Sequence, residues 1–297
     1  VAHRVGLLGL GIMGSAYAGN LLQAGFETRG YDVDPVALQA FEAAGGARAA
    51  TPRALASECD VLISALPSVA AAEAAFFATS GVAEGANAAL VLVETSTLPL
   101  ATKERLRSGL AARGVEVLDS PVSGTGSQAR EKDLAIYASG DREAYDRAEP
   151  VLRAIARAVR YVGAYGAGSK LKFIANLLVT IHNLSTAEAV VLAQKAGIDP
   201  AAMIEIIGEG AGASRMLAVR GPMMAAGSYE PASMKLDVYQ KDIEIIADFA
   251  HEVGAPTPLF SQSAVFYTAA LAQGRGKQDT AAIASVLKTM AGLAADP

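Results

Sequence analysis

Two groups of residues carry enough chemistry in their types and spacing to indicate what the chain does. The first is Gly9-Leu10-Gly11-Ile12-Met13-Gly14, between a strand-like run ending at Leu8 and a helical run through Ala18, Leu21 and Leu22. In that setting Gly9 permits a tight turn, Gly11 lets the backbone approach a pyrophosphate, and Gly14 lets the helix pack closely on the strand. The helix start at Ile12 and Met13 then offers free N–H groups and the positive end of its dipole to phosphates. Asp32, at the end of the second strand-like run, is a carboxylate suited to accept hydrogen bonds from a ribose diol and to repel a 2′-phosphate. NAD is therefore the expected cofactor, with NADP possible if Arg29 or Arg53 received the extra phosphate. A purely structural reading makes Asp32 or Asp34 a cap for a helix starting at Pro35.

The second group is Lys172, Asn176 and Asn183, which at 100° per residue fall within about 40° of one another on one helix. The opposite face carries Ile174, Leu177, Leu178 and Ile181. Such a stripe reads either as the solvated face of an amphipathic core helix or as a row of functional side chains. Asparagine is a poor helix former, which weighs against mere solvation, but periodicity does not choose between the two. Lys170 points to nearly the opposite side and is the poorer partner.

The elements that must position these residues change character along the chain. Up to about residue 162, β-branched or leucine-rich runs alternate with Ala-rich amphipathic segments, the pattern of a parallel sheet covered by helices. The expected strands are Arg4 to Leu8, Glu27 to Tyr31, Val61 to Ala65, Leu90 to Glu94, Val115 to Leu118, Ala135 to Ala138 and Val159 to Val162. Asp34-Pro35 and Thr51-Pro52 place a capping side chain before a proline at the first helical position. From Ser169 to Lys195 the sequence predicts one helix of about 27 residues, roughly 40 Å long. Beyond it, Asp199-Pro200, Glu230-Pro231 and Pro256 to Pro258 punctuate helical segments with no strand pattern. The fold class expected is α/β: an N-terminal doubly wound parallel sheet of Rossmann type (1–165), a long interdomain helix (166–195) and a C-terminal all-α domain for substrate binding and oligomerisation (196–297).

The glycine loop, together with Asp119-Ser120-Pro121-Val122-Ser123-Gly124, resembles the β-hydroxyacid dehydrogenase family. So do Gly166-Ala167-Gly168 with Lys172 and Asn176, the run Thr186-Ala187-Glu188-Ala189, and Lys241-Asp242. The resemblance covers almost the whole chain and implies a dehydrogenase that interconverts a small 3-hydroxy acid and its semialdehyde or keto acid. It implies that Lys172 is the acid–base lysine and that Asn176 helps hold the substrate. It places the substrate carboxylate at Ser123 and Gly124, with Thr125, Lys241 and Asp242 nearby, and the cofactor beside Leu66, Pro67 and Thr97. Two departures bear on the pocket, since Thr125 and Ala175 stand where the family often has glycine and asparagine. The runs Asp237 to Asp242 and Gly276-Lys277 look more like the L-threonate dehydrogenase branch. Structural alternatives are an ordinary turn at Pro121 to Gly126 and a helix cap at Thr95 to Thr97.

Composition narrows the class further. With 52% hydrophobic and 19% charged residues the chain is globular, and one cysteine, Cys59, excludes a disulfide framework or a cysteine-based zinc site. A formal charge of -5 offers no overall attraction to nucleic acid or to an anionic membrane, and neither is expected as a partner. The uncharged stretch from Ala255 to Gly274 holds Pro256, Pro258 and Gln262 and reads as a core helix. The passage from His3 and Arg4 into a strand-like run has no apolar leader, so a cytoplasmic location is the expectation. Phe249, Leu259, Phe260, Phe266, Tyr267 and Leu271 supply either a helical core or a surface for a second copy, and a homodimer or homotetramer is expected. The alternatives are imine or β-hydroxy amino acid chemistry on the same scaffold, and a dinucleotide-binding regulatory protein without turnover.

Overall fold

The structure is a computed structural model that describes residues 4–294. The outermost residues of the expected domains, 1–3 with His3 and 295–297, lie outside the described residues. The chain forms two compact units that divide between Lys172 and Phe173.

The first unit opens with β1 (Arg4–Leu8), α1 (Ile12–Gln23), β2 (Glu27–Tyr31), α2 (Pro35–Ala43), β3 (Ala47–Arg48) and α3 (Pro52–Glu58). It continues through β4 (Val61–Ser64), α4 (Val69–Phe77), α5 (Val82–Gly85), β5 (Val91–Glu94), α6 (Leu100–Ala111) and β6 (Glu116–Asp119). These six strands form one parallel sheet in the order β3-β2-β1-β4-β5-β6. The alternation of side chains along each strand feeds two cores. Val61 and Ile63 of β4 and Val91 and Val93 of β5 join Tyr17 and Leu21 of α1 on one face. Leu62 and Leu92, one residue out of step, join Leu55, Phe76, Leu106 and Leu110 on the other. Cys59, just after α3, is buried in this second core.

The chain then leaves the parallel sheet. β7 (Val122–Ser123), α7 (Gly126–Arg130), β8 (Ala135–Ala138), α8 (Arg142–Ile155) and β9 (Ala158–Tyr161) follow. β7 runs antiparallel to β8, and β8 parallel to β9, as a separate three-stranded sheet. The single parallel sheet expected for all strands is thus corrected: β7 continues in line from β6, with Asp119 bridging Ser139 and the Pro121 carbonyl accepting from Tyr137 N–H in the same antiparallel register, and the short return through α7 gives an antiparallel neighbour rather than a parallel crossover. The two-residue strands β3 and β7 were not anticipated.

Helix α9 (Ala167–Lys195) carries the chain out of the first unit. The second unit adds α10 (Pro200–Gly208), α11 (Arg215–Ala226), α12 (Leu236–Glu252), α13 (Pro258–Ala272), a 3₁₀ turn (Thr280–Ala282) and α14 (Ile283–Met290). Asp199 caps α10 by accepting from Ala201 and Ala202, as its sequence signal predicts. Glu230-Pro231 starts no helix; its peptide bond is cis and α12 begins five residues later. Phe260 and Tyr267 are core side chains of this unit, whereas Leu259 is exposed.

On α9 the polar stripe is the buried one. Asn176, Thr180 and Asn183 are buried, while Ile174 and Leu178 are 53% and 47% exposed. Asn183 donates to the Tyr267 hydroxyl and the Thr280 carbonyl, both at 2.9 Å, so its role is to tie α9 to α13 and the 3₁₀ turn. By length and composition alone α9 would pass for a membrane span, but Asn176, Thr180 and Asn183 donate hydrogen bonds within this helical unit.

Candidate active site

The glycine loop shows which of its glycines the fold itself requires. Gly9 has φ +94°, donates its N–H to the Tyr31 carbonyl at 2.9 Å, and would drive a Cβ to 2.4 Å from the Ala65 carbonyl oxygen. A Cβ on Gly14 would lie 1.9 Å from the Gly9 carbonyl oxygen. Gly11 differs: its φ is -64° and a Cβ there would meet no protein atom within 4 Å. Among the described residues no close contact demands a glycine at 11, and a pyrophosphate lying against the backbone would. α1 starts here with no side-chain cap and no acidic residue in its first turn, leaving the N–H groups of Ile12 and Met13 to a ligand. Gly11, Ile12, Met13 and Asp32 are the residues that would hold a dinucleotide.

Asp32 braces this loop. One carboxylate oxygen accepts from the Leu10 N–H at 2.6 Å and the other from the Asp34 N–H at 2.9 Å. Asp34 accepts from Val36 N–H and caps α2, so the capping alternative holds for Asp34 and not for Asp32. Arg29 pairs with Glu58 at 2.5 Å and Arg53 with Glu84 at 3.6 Å.

The loops after β4 and β5 are stitched together. Leu66 donates its N–H to Ser96 Oγ at 2.9 Å, and Thr95 Oγ1 donates to the Ser64 carbonyl at 2.7 Å. Pro67 is exposed beside them and Thr97 half-buried. The cap proposed for Thr95 to Thr97 is not formed, since α6 starts after Pro99 with no side-chain cap.

Beneath these loops lies a buried ionic cluster that the sequence did not disclose. Lys103 of α6, fully buried, donates to Asp119 at 2.6 Å and lies 3.5 Å from Glu94. Burial works against its ammonium, but the two carboxylates outweigh that and hold its pKa above the ordinary lysine value. Asp119 also accepts from Ser169, from the N–H at 2.7 Å and from the hydroxyl at 2.8 Å, and so caps the first turn of α9. Lys172 follows one turn later, half-buried, while Lys170 is exposed.

Ser123 ends β7, and Gly124 has φ +138°, a conformation few residues other than glycine adopt. Thr125 is occupied locally: with Gln128 it forms a capping box for α7, and its hydroxyl lies 2.9 Å from Ser127 Oγ. The substrate contact expected of its side chain therefore competes with this cap. In the second unit, Asn176 Nδ2 donates to Asp242 Oδ2 and Lys241 Nζ to Asp242 Oδ1, both at 2.9 Å. The backbone carbonyl of Asn176 accepts from the Tyr239 hydroxyl at 3.0 Å. These three expected substrate residues are brought together as a carboxylate held by an amide and an ammonium.

Residues 4–163 match the family described as the NAD-binding domain of 6-phosphogluconate dehydrogenase. Residues 166–287 match the one described as NAD-binding of NADP-dependent 3-hydroxyisobutyrate dehydrogenase. The chain is 36% identical to an L-threonate dehydrogenase of Cupriavidus necator over 96% of both chains. It belongs to the β-hydroxyacid dehydrogenase family. This β-hydroxyacid dehydrogenase is 31% identical to a 3-sulfolactaldehyde reductase of Escherichia coli K12 over 98% of both chains. A crystal structure of a 3-hydroxyisobutyrate dehydrogenase from Salmonella typhimurium superposes with a TM-score of 0.85 at 33% identity, covering 95% of this chain and 99% of that one. The dehydrogenase is accordingly an NAD(P)-binding oxidoreductase of hydroxy acids.

Proposed function

We propose that the protein oxidises a small polyhydroxylated acid with NAD, L-threonate being the first substrate to test, and that Lys172 is its general acid–base. The observation that carries this reading is the setting of Lys172: half-buried, three residues after Ser169, whose bonds to Asp119 fix the helix start, and one turn before the buried Asn176. When bound, the nicotinamide supplies a hydride acceptor. Lys172 Nζ takes the hydroxyl proton as the alcohol carbon loses its hydride, and returns it in the reverse reaction. Ser123 and the N–H groups around Gly124 receive the substrate carboxylate, offsetting its desolvation with charge-assisted hydrogen bonds. Asn176, held by Asp242, orients the substrate hydroxyl. NAD is preferred over NADP on this reading, since the Asp32 carboxylate after β2 would repel a 2′-phosphate and Arg29 and Arg53 are both engaged by glutamates.

The protein acts in the cytoplasm as a homodimer or homotetramer, with the exposed Leu171, Ile174 and Leu178 of α9 covered by a second copy. A concentration-independent monomer mass in sedimentation would remove that assignment.

The deciding experiment is NADH formation over L-threonate, 3-hydroxyisobutyrate and simple alcohols, in wild type, Lys172→Met and Lys170→Met. Lys172→Met should lower turnover by roughly 10² to 10⁴ with NAD affinity little changed, and Lys170→Met should be mild. Equal impairment of the two variants would refute the role of Lys172. A requirement for added amine would move the chemistry to imines, and tight NAD binding without turnover of any acid would leave a binding protein.

A further inference from the structure

We propose that Lys103, with Glu94 and Asp119, is a positioning hub that holds the cofactor loops, the Ser123 loop and the Lys172 turn of α9 in one fixed arrangement. This rests on the reading of Lys172 as the acid–base group.

The cluster is an expensive way to fill space. On α6 the buried positions are 103, 106 and 110, and the other two are leucines. A third apolar side chain would complete that stripe, and replacing buried ion pairs by apolar groups is often neutral or stabilising. What charge adds here is a hydrogen-bond donor for three of the four carboxylate oxygens, the fourth, Glu94 Oε2, having only the nearby ammonium. Asp119 Oδ1 accepts from Lys103 and from the Ser169 hydroxyl, and Oδ2 from the Ser169 N–H and, at 3.3 Å, from Ser139. Glu94 Oε1 accepts from Ser64 Oγ at 3.1 Å and from the Ser96 N–H at 2.9 Å, while Oε2 faces Lys103. The ammonium therefore joins the ends of β4, β5 and β6 to the first turn of α9.

Each tether lies a few residues from a site residue. Ser96 accepts from Leu66 and precedes Thr97; Asp119 begins the run that reaches Ser123. On the helix side Gly168 donates its N–H to Ser139 Oγ at 3.0 Å, and a Cβ on it would come within 2.2 Å of the Tyr137 carbonyl oxygen. The first turn of α9 thus sits directly on the β8 backbone, and Lys172 is one turn along it.

The test uses the full-length protein. Competitive acetylation, read by mass spectrometry, compares the amine reactivity of Lys172 and Lys170 in wild type, Ser169→Ala and Lys103→Met. The expected result is Lys172 labelled at least threefold faster in both variants, with Lys170 unchanged. With a hydroxy acid that the wild type turns over, kcat per folded molecule should fall about 10- to 100-fold in both variants, with KM for NAD within twofold in Ser169→Ala and raised in Lys103→Met, which also releases the cofactor loops. Unchanged labelling at Lys172, equal acceleration at both lysines, which would mean simple fraying, or an unchanged kcat would each overturn the proposal. If Lys103→Met fails to fold, Ser169→Ala alone decides. A Lys172→Met variant with intact kcat would instead overturn the underlying reading, which the labelling result does not depend on.

Discussion

Gly11→Ala and Gly14→Ala should separate the demands of the cofactor from those of the fold. At Gly14 the new methyl would stand 1.9 Å from the Gly9 carbonyl oxygen, and Gly9 cannot yield because its N–H is bonded to Tyr31 and its Cα faces the Ala65 carbonyl. The first turn of α1 must move by about 1 Å or more, at a cost of about 1–3 kcal/mol, and more if the loop shifts with it. At about 2–4 °C per kcal/mol for a unit of this size, Tm should fall by roughly 2–12 °C. At Gly11 the backbone φ of -64° is ordinary for alanine, the ψ of -157° lies just beyond the extended region, and the methyl meets no described residue other than its chain neighbours within 4 Å. Alanine is a weaker N-cap than glycine, but it loses less entropy on folding, so the net change should stay within about 0.5 kcal/mol. NADH affinity is where Gly11→Ala should register. Losing a charge-assisted N–H contact to a phosphate costs about 1.5–3 kcal/mol, or roughly 10- to 100-fold in Kd. Thermal unfolding without ligand and NADH fluorescence titration would be run on both variants. Gly11→Ala that unfolds as early as Gly14→Ala, or binds NADH as tightly as wild type, would refute the assignment of Gly11 to the pyrophosphate.

Asp32→Ala should narrow the preference for NAD over NADP by about tenfold or more in kcat/KM, and equal use of both cofactors by the wild type would contradict its ribose role. Ser123→Ala should raise KM for hydroxy acids about tenfold with NADH affinity unchanged, as shown by steady-state kinetics beside the same titration. In the second unit, Asp279 accepts from Arg220, Ser233, Met234 and Ala281, and Asp279→Ala should cost about 3–5 kcal/mol in urea unfolding at neutral pH. Burial pushes that carboxyl up, but Arg220 and the donated hydrogen bonds outweigh it and leave it below the ordinary value. The wild-type advantage should therefore be full above about pH 4 and shrink as pH falls through the lower folded-state value. A constant advantage down to strongly acidic pH would count against the charge of Asp279.

The sequence displayed the features that arise from local chemistry. Four-residue runs such as Val91–Glu94, buried on both faces, read as strands without tertiary help, and Asp34, Thr51 and Asp199 each announce a helix by capping before a proline. The two-residue strands β3 and β7 have no periodicity to detect, and the antiparallel second sheet depends on the short return through α7 that brings β8 back beside β7. The orientation of α9 was hidden because a helix with isoleucine and leucine on one side and asparagine on the other normally buries the former. Here Asn176 and Asn183 find partners on α12, on α13 and at Thr280 that only the folded unit provides. Lys103 was hidden among Glu104, Arg105 and Arg107, which make its segment read as a solvated face. Its spacing from Leu106 and Leu110 was the one available sign. Of the site, the glycine loop and Asp32 could be argued from motif physics, whereas roles for Ser123, Asn176 and Asp242 entered only through family resemblance.

The burial of Cys59 has a practical consequence. Packing after α3 lifts its thiol to about 12, with Arg29 and Arg4 drawing it down less strongly. On the order of one thiol in 10⁵ is then ionised at neutral pH, and the thiolate is the species that reacts. Maleimide reagents should leave the chain almost untouched, so a new cysteine at an exposed position would be modified selectively without replacing the natural one. Ser108→Cys on α6 and Ser261→Cys on α13 place one such handle in each unit, at exposed side chains. A donor and acceptor dye attached there would turn the spacing of the two units, with and without NAD, into a fluorescence signal from an otherwise unaltered protein.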